Sequence, residues 1–452
     1  MSNWKLYSEQ PKIEKSEVSK LQIFLGYLLA LLLVTLMRLS TWPENKHVDY
    51  VFFSQCIFLS ILAGSAIMFY YIMLASTTDY YRESRIKIAE WQLYNVKNYA
   101  GKHLAIAGWS SLTPINNIAL QMLKLEGEFP LAPKTPVRLN IEPDFDATRL
   151  RKIFIRLLEP LRASLSKYSD TSIVLWMREA AETAQDDLRD ALNHHGLPFS
   201  DKITVLQECP GYDLLSDMIG ESTPQWRYNR LIITVDLHKD DEKCMDNVNA
   251  FFICKEYPVN EKIRPVYLFQ PMTEDVDLTE SVTTFLCAEQ TAPPKTLWYT
   301  GLSKAEKYPL FSALGEHRAA QNRLDLEVSL GARSAGYRWL ALAIASDAVR
   351  YAQGPQLVAV SEKHKPEFTV LAQKLPDPVS EPDLGDYLPP VFYSLIAALL
   401  ALVSAAAIWS MFVTPLEWGW SIFICLLTLV GSITTGVYLT QQASDKAWAD
   451  VR

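Results

Sequence analysis

Four stretches of this chain are apolar throughout: Leu21–Met37, Val51–Ala75, Val391–Val413 and Trp418–Leu439 contain no Asp, Glu, Lys, Arg or His. Each is about as long as a helix must be to cross a hydrocarbon core of roughly 30 Å. An unpaired backbone N–H or C=O in lipid costs several kcal/mol, so such stretches have to be helical. They come as two pairs, one toward each end of the chain. The pattern therefore predicts four transmembrane helices in two hairpins, with one large soluble domain inserted between them.

Between the pairs the periodicity changes. Thr77–Gly101 reads as a juxtamembrane helix whose apolar surface comes from Ile86, Ile88, Trp91, Leu93, Tyr94 and Val96. Beyond it, short β-rich runs are predicted at His103–Gly108, Ser172–Trp176, Ile203–Leu206, Arg230–Leu237, Ala250–Cys254, Pro265–Phe269, Thr296–Thr300, Gln356–Val360 and Glu367–Ala372. Helical patterns separate them at Glu179–His194, Gly211–Ile219, Asp277–Glu289, Ser303–Gly315 and Ser334–Gln353. Strands alternating with helices on this scale predict a single α/β domain. Arg230–Leu237 is apolar at nearly consecutive positions, as in a strand covered on both faces. The resulting segments are 1–20, an N-terminal arm; 21–75, the first hairpin; 76–102, the juxtamembrane helix; 103–375, the α/β domain; 376–390, an acidic Pro-rich linker; 391–440, the second hairpin; and 441–452, a tail.

Charge adds orientation. Lys5, Lys12, Lys15 and Lys20 precede the first hydrophobic run and Arg82, Arg85 and Lys87 follow the second, whereas the hairpin between them carries only Lys46, with Arg38 at its edge. Cations favour the cytoplasmic side, so both termini and the large domain are expected there. The net charge of −8 argues against a nucleic-acid partner. The six cysteines form no C-x-x-C pair or disulfide framework, which suits a reducing compartment.

Candidate chemistry is sparse. There is no G-x-x-x-x-G-K-[ST] loop and no G-x-G-x-x-G, and Ser172, Ser216 and Ser303 sit in no G-x-S-x-G elbow. His194-His195 reads as a helix C-cap and His238-Lys-Asp-Asp-Glu-Lys as a solvated turn. Glu142, Asp144 and Asp146, like Asp186, Asp187 and Asp190, read as surface carboxylates. No metal or other cofactor is expected. The membrane runs lack the ionisable residues that transport pathways use. Their small-residue faces at Gly64-Ser-Ala, Ala397–Ala407 and Gly431–Gly436 suit packing of the four helices or homo-oligomerisation.

One resemblance emerges from segment order. His103-Leu-Ala-Ile-Ala-Gly-Trp-Ser-Ser-Leu-Thr-Pro resembles the opening strand and turn of the thiolase-fold β-ketoacyl synthases, and Arg230–Asp236 followed by Val248-Asn-Ala-Phe-Phe-Ile-Cys-Lys-Glu is similar to their central strands. Trp298-Tyr-Thr-Gly-Leu-Ser-Lys-Ala-Glu falls where that family's first histidine loop would lie. Leu330-Gly-Ala-Arg-Ser-Ala-Gly looks like the turn of its second. The resemblance implies a thiolase-like domain over 103–375 and makes Cys209 the one candidate nucleophile by position. It also implies two catalytic histidines, and neither loop has one. Condensation relies on those groups for roughly 10² or more each. The domain is therefore expected to be degenerate and non-enzymatic, binding a protein partner beside the lipid bilayer. The layout further resembles bacterial inner-membrane proteins that accompany type VI secretion, as adaptors or immunity proteins. The alternatives are a membrane-tethered acyl-handling enzyme using Cys209, and a small-solute channel subunit.

Overall fold

The computed structural model describes residues 4, 6, 19–44, 46–132, 137–168, 171–179, 182–197, 203–220, 229–239, 242–254, 265–273, 278–382, 388–409 and 418–451. The chain forms two units, one of Met1–Lys5 with Tyr94–Ser380 and one of Leu6–Leu93 with Glu381–Arg452.

The second unit is built from long helices. Three helices among the described residues are long and apolar enough to cross a membrane: Lys20–Thr41, Tyr50–Ala100 and Pro390–Ala407. The fourth apolar run, Trp418–Leu439, lies within the helix Trp418–Val451. Ser19 and Gln22 cap the first helix reciprocally. Val51–Ala75 and the expected juxtamembrane helix are one unbroken helix, Tyr50–Ala100, because no Pro or Gly interrupts Ala75–Ala100. Small residues set how closely the helices approach. Tyr27 packs where a Cβ at Gly64 would stand, and its hydroxyl meets Ser65 Oγ at 3.1 Å. Arg38, at the end of an apolar run, donates to Gln55 Oε1 at 2.8 Å. A Cβ at Gly436 would lie 2.1 Å from Ser394 Oγ and 3.0 Å from the Val391 Cα. Gly436→Val should therefore force Pro390–Trp409 and Trp418–Val451 apart, lowering the melting temperature in detergent by the equivalent of about 1–3 kcal/mol. Gly431→Val, where an added Cβ meets nothing within 4 Å, is the control.

The first unit is a mixed α/β domain on one ten-stranded sheet. Its strands are β1 (His103–Leu112), β2 (Thr171–Met177), β3 (Ile203–Leu206), β4 (Asn229–Asp236), β5 (Asn247–Cys254), β6 (Val266–Phe269), β7 (Thr296–Thr300), β8 (Asn322–Asp325), β9 (Gln356–Glu362) and β10 (Lys365–Ala372). They are ordered β3-β2-β4-β5-β1-β6-β10-β9-β7-β8. Numbered within its own half, each set of five reads 3-2-4-5-1, and the two halves meet through the antiparallel pair β1–β6. In each half the third, second and fourth strands are parallel and the fifth is antiparallel. The fold is thus an internal duplication, which the sequence reading did not detect.

Helices fill both sides. The helices between the third and fourth strands of each half, Asp213–Gly220 and Tyr337–Arg350, share one core with residues from both half-sheets, including Phe251, Ile253, Trp298 and Val358. Burial on every face suits the Ala-, Leu- and Ile-rich sequence of Tyr337–Arg350, where twelve residues are buried. A second core joins the far face of the first half-sheet to Arg149–Leu158 and Ala184–His194. Arg149–Leu158 has no counterpart in the sequence reading, although Ile153, Phe154, Leu157 and Leu158 have helical spacing. β8 is also new; its Asn-Arg-Leu-Asp sequence carries no strand signal because it lies at the sheet edge.

Candidate functional site

Cys209 lies on the segment joining β3 to the helix Asp213–Gly220. That segment is fastened to the second half of the domain. Trp339 Nε1 donates to the Pro210 carbonyl at 2.9 Å and Tyr212 Oη to the Arg338 carbonyl at 2.9 Å, while the Tyr212 N–H donates to Glu367 Oε2 at 3.1 Å. The Cys209 thiol itself donates to the Ala335 carbonyl at 3.4 Å. Ala335 belongs to the loop 331–336 that precedes the helix Tyr337–Arg350. The two segments that the resemblance placed at one site, Cys209 and Leu330–Gly336, therefore touch.

The third segment joins them. Arg333 donates to the carbonyls of Gly301, at 3.4 Å, and of Ser361. Glu327 Oε1 accepts from the Gly301 N–H at 2.7 Å. Gly301 has φ +74°, and a Cβ there would stand 2.3 Å from the Ser361 carbonyl oxygen. No side chain fits at this position. Around these loops lies a cavity of about 450 Å³, with walls from Thr300, Gly301, Ser334, Ala335 and Ser361 and cationic side chains at Arg178, Arg333, Arg338 and Lys363. A larger cleft, about 820 Å³, runs between Lys97–His103 and Leu375–Ser380; neither Cys209 nor the two loops line it.

Burial pushes the Cys209 thiol far above the usual thiol range, and the nearby Arg338 guanidinium opposes this only in part. Activated cysteines lie in the opposite situation, with a depressed pKa and a base alongside. Among the described residues no histidine hydrogen-bonds Cys209. Burial likewise raises Glu367 despite Arg338.

Behind the cavity sits a charged network that the sequence reading missed. Asp236, fully buried at the end of β4, accepts from the Gly336 N–H at 3.0 Å, from Asn247 Nδ2 at 3.2 Å and from Ser334 Oγ. Arg178 Nη1 lies 3.4 Å from Asp236 Oδ1, and Arg178 Nη2 lies 3.2 Å from Glu242. His238 is not on a solvated turn. Its ring is enclosed, with Nδ1 2.6 Å from Glu242 Oε2 and Nε2 3.3 Å from Asp236 Oδ1, the latter an ion contact without hydrogen-bond alignment. The charges that enclose it come from β4 and from four residues downstream, and only the fold brings them around the ring. Elsewhere, His195 Nε2 donates to the Ile155 carbonyl at 2.9 Å, tying two helices together. One signal for Asp236 did exist: a carboxylate closing a strand that is apolar at nearly consecutive positions must find partners in the core.

Two titrations follow. Burial tends to lower His238, but Asp236 and Glu242 outweigh it and hold the imidazole above its ordinary value. Its stabilising contribution is complete below about pH 6.5 and is lost as pH rises through the higher folded value. Burial tends to raise Asp236, but His238, Ser334 and Arg178 outweigh it and hold the carboxyl low. That contribution is present above about pH 4 and is lost as pH falls through the folded value. The difference in urea midpoint between the wild-type chain and His238→Gln should shrink as pH is raised from 6 to 9. A constant difference would contradict the assignment.

No protein-family model and no curated protein sequence matches this chain. Among solved structures, it is similar to a type II polyketide ketosynthase in complex with its acyl-carrier protein, with 9% identity and a TM-score of 0.43 over 60% of this chain and 99% of the other. It is also similar to 3-oxoacyl-(acyl carrier protein) synthase III of Pseudomonas aeruginosa PAO1, with 12% identity and a TM-score of 0.35 over 61% and 99%. A third similarity is to the acetamide-bound OleA of Xanthomonas campestri, with 10% identity and a TM-score of 0.38 over 60% and 98%.

Proposed function

We propose that Tyr94–Ser380 is a thiolase-like domain that binds rather than transforms its ligand, held at a membrane by four helices and docking a protein partner there. The observation that carries this reading is Gly301. In the loop where condensing enzymes of the resembling family keep a histidine, the left-handed backbone and the 2.3 Å approach of the Ser361 carbonyl exclude any side chain. The second loop offers Arg333, whose permanently charged guanidinium cannot exchange a proton near neutral pH. Cys209 is left with a backbone carbonyl as its hydrogen-bond partner. Tethering at both ends restricts a domain's orientation, which serves docking of the kind an adaptor or immunity protein performs. Cross-linking in intact membranes followed by purification of the full-length chain tests the reading. Wild type and Cys209→Ala should recover the same partner in equal amounts; loss of the partner in Cys209→Ala argues against it.

One observation favours a second reading, acyl handling by Cys209: the cavity reaches Ala335, the residue to which the thiol donates. That reading requires Cys209 to react with an acyl electrophile.

A further inference from the structure

The cavity beside Cys209 has a feature that its architecture does not use. Four cationic side chains converge on it from separate elements: Arg178 after β2, Arg333 and Arg338 around the start of the helix Tyr337–Arg350, and Lys363 on the β9–β10 turn. Glu362 is the one carboxylate lining it among the described residues, and it pairs with Arg338. Arg178 is neutralised from behind by Asp236 and Glu242. Arg333 differs. Its two hydrogen bonds go to the Gly301 and Ser361 carbonyls, and no carboxylate pairs with it among the described residues. A guanidinium has five N–H donors, so three remain, together with an uncompensated charge.

The fork is also pre-positioned. The two carbonyls hold its Nη atoms, and Gly301 leaves the room that the fork occupies, since a Cβ there would lie 3.0 Å from Arg333 Cζ. Thr300, Ser334 and Ser361 line the same space, and Lys363 adds a second cation without a carboxylate partner among the described residues. Planar donors held in this way match the spacing of two oxygens on a carboxylate or a phosphate.

We infer that this cavity binds the oxyanion of a small molecule, a phosphate or carboxylate group, with Arg333 as its principal donor and Lys363 as its second charge. This deepens the binding role proposed above and names the ligand chemistry of the same site. At about 450 Å³ the cavity admits a small metabolite, with the rest of the molecule lying against Thr300 and Val360.

Isothermal titration of the full-length chain in detergent, with inorganic phosphate and separately with acetate, tests the inference. Saturable binding of at least one is expected, and the stronger of the two identifies the group. Arg333→Gln should weaken it roughly tenfold or more, the usual effect of losing a charge-assisted pair. If neither anion binds saturably, or if Arg333→Gln binds as wild type does, the inference is wrong. Should Arg333→Gln not fold, Lys363→Gln on its exposed turn takes its place, and unchanged affinity there overturns the inference equally. The titration repeated with Cys209→Ala should give the wild-type affinity. Acylation of Cys209 would thus sink the non-catalytic reading while leaving anion binding to stand or fall on its own arm.

Discussion

Asp236→Ala should destabilise the α/β domain by about 3–5 kcal/mol, among the largest effects of any single substitution in this chain. The carboxylate is fully buried and serves five partners: Arg178, His238, Ser334, Asn247 and the Gly336 N–H. Removing it leaves three buried donors unanswered and Arg178 and His238 with Glu242 alone as their carboxylate, and each unsatisfied donor costs about 1–3 kcal/mol on its own. Gly336→Ala should act on the same network from the other side, since the new methyl would stand 2.5 Å from both Asp236 Cβ and Oδ2. Urea unfolding of the full-length chain in detergent, followed by tryptophan fluorescence, measures both. A loss below 1 kcal/mol for Asp236→Ala would show that water takes over the carboxylate's partners, and that the network does not order the loop 331–336.

The second large effect concerns Cys209. Each unit by which burial raises a thiol's pKa removes about tenfold from its thiolate fraction at neutral pH. Burial raises Cys209 in this way, and the half-buried thiol is held against the Ala335 carbonyl. Labelling with iodoacetamide or an acyl thioester analogue should therefore be slower than that of an exposed cysteine by about tenfold or more in the folded chain. It should become ordinary in denaturant. Mass spectrometry of the peptide containing Cys209 reads the rate directly. Rapid labelling of the native protein would establish an accessible thiolate and favour the acyl-handling reading.

Much of the domain was legible in its sequence because burial on both faces leaves a strong mark. β4 and β5 are buried along nearly their whole length, and their uninterrupted apolar runs announce it. The edge strand β8 has nothing to bury on its outer side and so reads as a loop. The helix Arg149–Leu158 shows the spacing of an amphipathic helix, with Thr148 accepting from Arg151 N as its cap, yet the acidic stretch before it draws attention to the surface. The site was legible in part. Thr300, Gly301 and Arg333 line one cavity, and Cys209 meets Ala335 in its wall. What sequence could not convey is long-range pairing. Asp236 and Ser334 are far apart along the chain, as are Cys209 and Ala335, and Pro210 and Trp339.

The duplicated strand order has a consequence for this cavity. Cys209 lies between the third strand and following helix of the first half, and Arg333 and Ala335 lie in the matching interval of the second. The Cys209 segment and the loop 331–336 that it meets are thus equivalent intervals of the two halves. A symmetric homodimer of half-domains would have to present the same residue in both. Two halves fused in one polypeptide are free of that constraint, so a thiol can stand on one side and a guanidinium on the other. Such an asymmetric centre is closed to a symmetric pair of identical halves.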